Sequence, residues 1–119
     1  METMTHFQEI VDTIRVPLIV LDGDIRVRTI NEAFSEMFVE NGEKVVGRVL
    51  YELGNGDWDI PALRELLENV LPNSSVFNNF EVENDFPKVG HKSFLLNARR
   101  LKNAADSSNS ILLAFEEKR

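Results

Sequence analysis

Val16-Pro17-Leu18-Ile19-Val20-Leu21-Asp22-Gly23-Asp24-Ile25-Arg26-Val27-Arg28-Thr29-Ile30-Asn31-Glu32-Ala33-Phe34 holds a strand, a turn, a second strand and a helix start in one run. Leu18 to Leu21 are continuously apolar, the pattern of a strand buried on both faces. Asp22-Gly23 is a hairpin signal, because both residue types tolerate positive φ. Ile25 and Val27 then alternate with Arg26 and Arg28, so the second strand has one wet face and pairs with the first. Asn31 caps a helix through its side chain, with Glu32 placed favourably in the first turn. Ala33, Phe34, Met37 and Phe38 form that helix's apolar face, and Gly42 is expected to end it.

Before this run, Thr5-His6-Phe7-Gln8 has capping-box spacing. Phe7, Ile10, Val11 and Ile14 follow as one apolar stripe, which predicts an amphipathic helix over residues 1–15 that stops ahead of Pro17. The stripe either covers the sheet or pairs with its counterpart in a second chain, the symmetric contact being the commonest route to a dimer. After the run, residues 43–59 carry Val45, Val46, Val49, Leu50 and Leu53 between Gly47, Gly54 and Gly56, enough for short helical turns only. Asp59 is positioned to cap a further helix, with Pro61 in its first turn. Its core stripe is Ile60, Leu63, Leu66, Leu67, Val70 and Leu71, and Pro72 stops it. Three strands follow. Val76 to Glu83 alternate, Asp85 to Gly90 form a loop, Lys92 to Leu101 make the second strand, Asn103 to Asn109 a polar loop, and Ile111, Leu113 and Phe115 the third. Strands gathered with short helices predict an α+β domain, an antiparallel sheet with helices on one face.

Composition narrows the function classes. The 119 residues suit one domain, and a chain of this size buries about 65% of its unfolded surface without staples. There is no cysteine, which excludes disulfides, thiolate metal sites, cysteine nucleophiles and flavin–cysteinyl photochemistry. The net charge of −7 and a pI near 4.8 argue against nucleic acid as a partner. Residues 1–60 hold all of the excess acid. No apolar run is long enough to span a membrane and no secretory signal is visible, so a cytoplasmic location is expected.

Catalytic chemistry is thinly supplied. His6 and His91 are the only near-neutral bases, one near a chain end and one beside a loop. Asp57 and Asp59 flank Trp58, but two carboxylates are too few for a hard-metal site, and no metal ligands are assigned. Glu81 and Glu83 share a solvated strand face, and Gly54 and Gly56 lack the partners of a phosphate loop. The aromatic residues are more informative. Phe34, Phe38, Tyr51, Trp58, Phe80 and Phe94 are candidates to line a space between helices and sheet. Asn97 and Arg99 share one face of their strand, with Phe94, Leu96 and Arg100 on the other. If the Asn97 face looks inward, Arg99 supplies a carboxylate contact; otherwise the interior is a filled core.

The order of elements resembles the PAS domain family from about Phe7 to Glu117. Val16-Pro17-Leu18-Ile19-Val20-Leu21-Asp22 is similar to its first strand and turn, Ile30-Asn31-Glu32-Ala33-Phe34 to its Asn-x-x-Phe helix start, and Val46-Gly47-Arg48 with Leu50-Tyr51-Glu52-Leu53 to its middle-helix approach. Leu50 to Pro61 and Leu96 to Leu101 are similar to modules of bacterial sensor histidine kinases and chemotaxis-methyltransferase fusions. The resemblance implies a five-stranded antiparallel sheet in the order 2-1-5-4-3, with a pocket between sheet and helices. It also implies a non-enzymatic sensory module, which binds a small ligand or dimerises and relays a signal to a C-terminal output domain. On this reading residues 16–117 form the domain, and residues 118–119 begin a linker to that output domain. The family's usual haem-ligating position is a middle helix. None of these offers a histidine here, so histidine-ligated haem is not expected, and the cofactor stays unassigned. Glu117 stands near the family's Asp-aliphatic-Thr junction, without the aliphatic-Thr pair. The alternative is a ligand-free interaction scaffold of the same fold.

Overall fold

A computed structural model describes residues 13–71, 76–86, 89–102 and 109–117. Among them five strands form one antiparallel sheet: β1 (Leu18–Asp22), β2 (Val27–Ile30), β3 (Val76–Phe86), β4 (Gly90–Lys102) and β5 (Asn109–Glu117). Their order is β2-β1-β5-β4-β3, as expected from the resemblance. All of Leu18, Ile19, Val20 and Leu21 are buried, which accounts for the unbroken apolar run of β1. Ile19 and Leu21 join the main core, while Leu18 and Val20 turn to the other side of the sheet.

The helical elements are α1 (Glu32–Phe38), α2 (Gly42–Val45), a 3-10 segment (Leu50–Asn55) and α3 (Pro61–Glu65), which runs on into π-helical Leu66–Val70. They place Phe34, Phe38, Val45, Leu50, Leu53, Leu63, Leu66, Leu67 and Leu71 in one cluster with Val82, Phe94, Leu96, Leu113 and Phe115 of the strands. Among the described residues, no helix is long and apolar enough to cross a membrane.

Four local expectations are corrected. The β1–β2 turn does not put positive φ on Gly23; it falls on Ile25, at 63°. The Asp22 carboxylate accepts from the N–H groups of Asp24 and Arg26, which organises the turn around Asp22 and lets Ile25 pack against the core. Gly42 does not end α1. That helix closes at Val39, in the left-handed region at φ 54°, and Gly42 instead opens α2 because Asn41 accepts from Glu43 N–H. Asp59 does not cap α3, whose N-cap is Ile60 with no side-chain bond; Asp59 pairs with Arg64 instead. The predicted loop over 85–90 is shorter, since β3 and β4 stay paired out to Phe86 and Gly90. Of the N-terminal stripe, Phe7, Ile10 and Val11 lie outside the described residues. Ile14 is 41% exposed.

Candidate functional site

The space between helices and sheet is occupied by aromatic rings. Phe34 and Phe38 sit one turn apart on α1 with ring centroids separated by 4.8 Å. Trp58 arrives from the loop ahead of α3, 5.6 Å from Phe34 and 4.8 Å from Phe38. Phe86, Phe94 and Phe115, from three strands, close around Phe38 at 5.3–5.8 Å. Most of these pairs are tilted or edge-to-face, the arrangements aromatic quadrupoles favour. None of the six rings exceeds 5% exposure. Phe38 touches every other ring of the group, so a movement there disturbs all of them.

The sequence candidates divide by position. Phe34, Phe38, Trp58 and Phe94 come together in this cluster. Phe86 and Phe115 also belong to it, although neither is among the pocket candidates of the sequence: Phe86 falls within the loop expected over 85–90, and Phe115 ends the Ile111, Leu113, Phe115 alternation. Phe80 is half-buried on the same side of the sheet but pairs with Phe77 at 5.4 Å, away from those rings. Asn97 and Arg99 face the opposite side, because β4 turns Phe94, Leu96 and Ala98 inward. The Asn97 side chain accepts from Asn79 N–H at 3.0 Å, where β3 bulges. Arg99 is exposed.

Tyr51 is buried beside this group and carries the polar edge of the interior. Its hydroxyl donates to Glu68 at 2.9 Å, and the Arg64 guanidinium lies 4.1 Å over its ring. Burial, followed by the bond to Glu68, pushes the Tyr51 phenol well above its ordinary range, so it stays protonated and acts as a donor. The bond to Arg64 holds the Asp59 carboxyl below its usual value. On the outer side His91 lies between Asp85, at 2.6 Å, and Glu83, at 3.4 Å. The Asp85 bond, then the Glu83 bond, raise its pKa above 6.5. Among the described residues, no three His, Asp or Glu side chains are grouped to hold a metal.

Asn31 is the one buried polar side chain among the described residues, 1% exposed. Its Oδ1 accepts from Leu18 N–H and Phe34 N–H, at 2.9 and 3.0 Å. Its Nδ2 donates to the carbonyls of Ile14 and Val16, at 3.0 and 2.8 Å. One amide therefore ties the incoming chain, β1 and the first turn of α1 together, three residues from the nearest ring of the cluster. The local sequence around Asn31 carries the helix cap alone. The contacts to Ile14, Val16 and Leu18 are long-range and leave no local spacing to read.

The geometry describes an apolar interior whose rings are joined to the N-terminal approach by one hydrogen-bonded amide. Comparison with known proteins agrees with the architecture. A family model described as the PAS fold matches residues 5–117. No curated protein sequence matches the chain. The PAS domain of a two-component sensor histidine kinase superposes with a TM-score of 0.74 at 11% identity, over 98% of this chain and 97% of that one. The Rhodobacter sphaeroides LOV protein gives 0.75 at 16% identity, over 98% and 67%. The PAS domain of an HTR-like protein from Haloarcula marismortui gives 0.69 at 15%, over 98% and 93%. At these identities the likeness is one of fold.

Proposed function

The chain belongs to the PAS family, and from that premise we propose that it is the sensory and regulatory domain of a bacterial signal-transduction protein of the sensor histidine kinase type. The domain itself carries no enzymatic step. It works in the cytoplasm as a homodimer and passes its signal to an output domain beyond Arg119, with residues 16–117 as the sensing unit. The N-terminal stripe of Phe7, Ile10, Val11 and Ile14 contributes to self-association.

The observation that carries this reading is the ring cluster joined to the incoming chain through Asn31. A small apolar or planar molecule would bind by replacing ring–ring contacts around Phe38 and Trp58, with Tyr51 at the polar edge. Such a molecule changes the output only if it binds two arrangements of the cluster with different affinity. Phe34 and Asn31 provide the path, since displacing α1 moves the carbonyls of Ile14 and Val16 with it. The neighbours include Light-Oxygen-Voltage proteins. With no cysteine in this chain, signalling through a flavin–cysteinyl bond is no part of the proposal.

Mass spectrometry of the purified domain under native and then denaturing conditions tests it. A fixed small excess over a multiple of the chain mass, lost on denaturation, is the expected result and gives the ligand's size. A native mass without excess, unchanged by a panel of small apolar and planar molecules, would replace the sensing role with that of a ligand-free interaction scaffold.

A further inference from the structure

One ring of the interior cluster is held differently from the rest. Phe34 and Phe38 belong to α1, and Phe86, Phe94 and Phe115 to β3, β4 and β5, so each is fixed by the hydrogen bonds of its element. Trp58 belongs to a turn between the 3-10 segment and α3. Around it Gly56 and Asp59 are exposed and Asp57 is half-buried, while Trp58 itself is 2% exposed. Residues 57–59 therefore form a strap that carries one buried side chain inward.

The strap is fastened at its rim. Asn84 of β3 donates from Nδ2 to the Asp57 carbonyl at 2.8 Å, and Arg64 of α3 donates to the Asp59 carboxylate. The Asp59 N–H bonds back to the Gly56 carbonyl at 3.0 Å. The Asp59–Arg64 pair is exposed on both sides, so it holds the strap only weakly. Gly56 stands at φ 92°, which only glycine takes freely, and gives the strap a hinge at one end. Pro61 fixes the other end at the start of α3. The ring that the strap carries has an unmet need. Among the described residues, no group accepts from the Trp58 indole N–H. Leaving that donor dry has a cost, and withdrawal into water removes it.

We propose that residues 57–59 swing Trp58 out of the cluster, and that the place it vacates takes a planar molecule of one or two fused aromatic rings. The walls of that place are themselves rings. Phe34 stacks on Trp58 at an interplanar angle of 29°, and Phe38, Phe86 and Phe115 meet it at 4.8, 5.0 and 5.6 Å. A flat aromatic molecule restores these ring contacts, whereas a charged one would lose its hydration without gaining a counter-charge. The molecule and Trp58 compete for one space, so binding keeps the strap open. Asp59 is then drawn off Arg64, whose guanidinium lies 4.1 Å over the Tyr51 ring, and entry is felt at the 3-10 segment as well as at α1. The inference rests on the sensing role proposed above and adds to it an entrance and a class of molecule.

Hydrogen exchange of the native domain in rising urea tests the strap. The Asp59 amide should exchange about a hundredfold faster than the Phe115 amide, which bonds to the Pro17 carbonyl. Its rate should not depend on low urea, since a local opening exposes little surface. N84A should speed Asp59 a further fivefold or so, about the worth of the hydrogen bond that opening breaks. Trp58 is the chain's one tryptophan, so fluorotryptophan labelling gives a single fluorine NMR signal. Indole should move that signal to its solvent-exposed position, with a larger deuterium-oxide isotope shift, while Phe115 stays protected. Cyclohexanol, which is saturated and not flat, should leave it in place. An Asp59 amide that exchanges only with the whole domain, or that N84A leaves unchanged, overturns the strap. Cyclohexanol acting like indole overturns the class of molecule. A fluorine signal that indole does not move overturns the exchange of places. If the native mass still carries a small molecule in that event, the sensing role stands without the strap; if it carries none, both fall.

Discussion

The two faces of the sheet come from alternate residues of the same strands, and they follow different rules. The inner face carries Val82, Phe86, Phe94, Leu96, Leu113 and Phe115, all buried, with the three phenylalanines in ring contacts. The outer face of β3, β4 and β5 carries charges and half-buried residues such as Leu95, Leu112 and Ala114. Inside, a residue's worth depends on how well its neighbours can collapse around a gap. Outside, it depends on charge, solvent and screening. The difference teaches that the interior holds the fold together, while the exterior can diverge without unfolding it.

The contrast breaks first if inner and outer truncations cost the same. Phe38→Ala removes the ring that all the others touch, and it should destabilise the domain by about 3–5 kcal/mol in urea unfolding. Leu95→Ala, on the outer face, should cost less than about 1.5 kcal/mol. Comparable losses would mean that Phe38 is not packed as described.

The inner region has a polar exception, and removing it sharpens the comparison. Asn31→Ala strands the N–H groups of Leu18 and Phe34 and the carbonyls of Ile14 and Val16. It should cost about 2–4 kcal/mol by the same measurement. It should also speed amide exchange at Leu18 and Phe34 relative to β4. A loss below about 1 kcal/mol would show that the network is not closed by Asn31.

Backbone strain is the next smaller effect. Val39 is exposed and β-branched, yet it sits at φ 54° at the end of α1. Val39→Gly removes a steric penalty without emptying the core, and it should stabilise by about 0.5–1 kcal/mol despite glycine's greater unfolded freedom. A lower thermal midpoint in this variant would rule out the left-handed cap.

The smallest effect belongs to the exposed His91 pairs. Because the folded pKa is raised, their stabilisation is fully present below the usual histidine value and is lost as pH rises through the folded value. The opposite holds at Asp59, whose lowered pKa gives a contribution present above the usual carboxyl value and lost on acidification. An NMR titration should place His91 above 6.5. His91→Gln should lower the thermal midpoint on the acidic side of neutrality and leave it unchanged at alkaline pH. A titration at or below 6.5 would remove the contacts to Asp85 and Glu83.

Much of the interior was legible because burial leaves a pattern. The unbroken run from Leu18 to Leu21, the Phe34–Phe38 spacing and the stripe from Leu63 to Leu71 each announce a buried surface. What sequence could not give is the side of β4 that looks inward, because a two-residue repeat has no sign. Nor could it place the left-handed residues. Gly23 and Gly42 invite them, yet Ile25 and Val39 take them: the Asp22 carboxylate organises the turn around Ile25, and Val39 closes α1 through its own backbone N–H to the Ser35 carbonyl. Asn31 illustrates the same limit. Its cap is local and readable, whereas its grip on Ile14 and Val16 exists only once the chain has folded back.

The bulge in β3 has a consequence for how these molecules behave in a crowd. β3 is an edge strand, the kind of border on which another chain can crystallise strand by strand into a fibre. Pairing with β4 slips between Phe77 and Phe80, with Asn79 at φ 60° and its N–H taken by the Asn97 side chain. The slip bends the border and breaks its regular row of donors and acceptors. Beyond it, Glu81, Glu83 and Asp85 add like charges that any incoming copy of this strand would have to meet. The domain can thus be held at high local concentration beside its own kind without its sheet continuing from one molecule into the next.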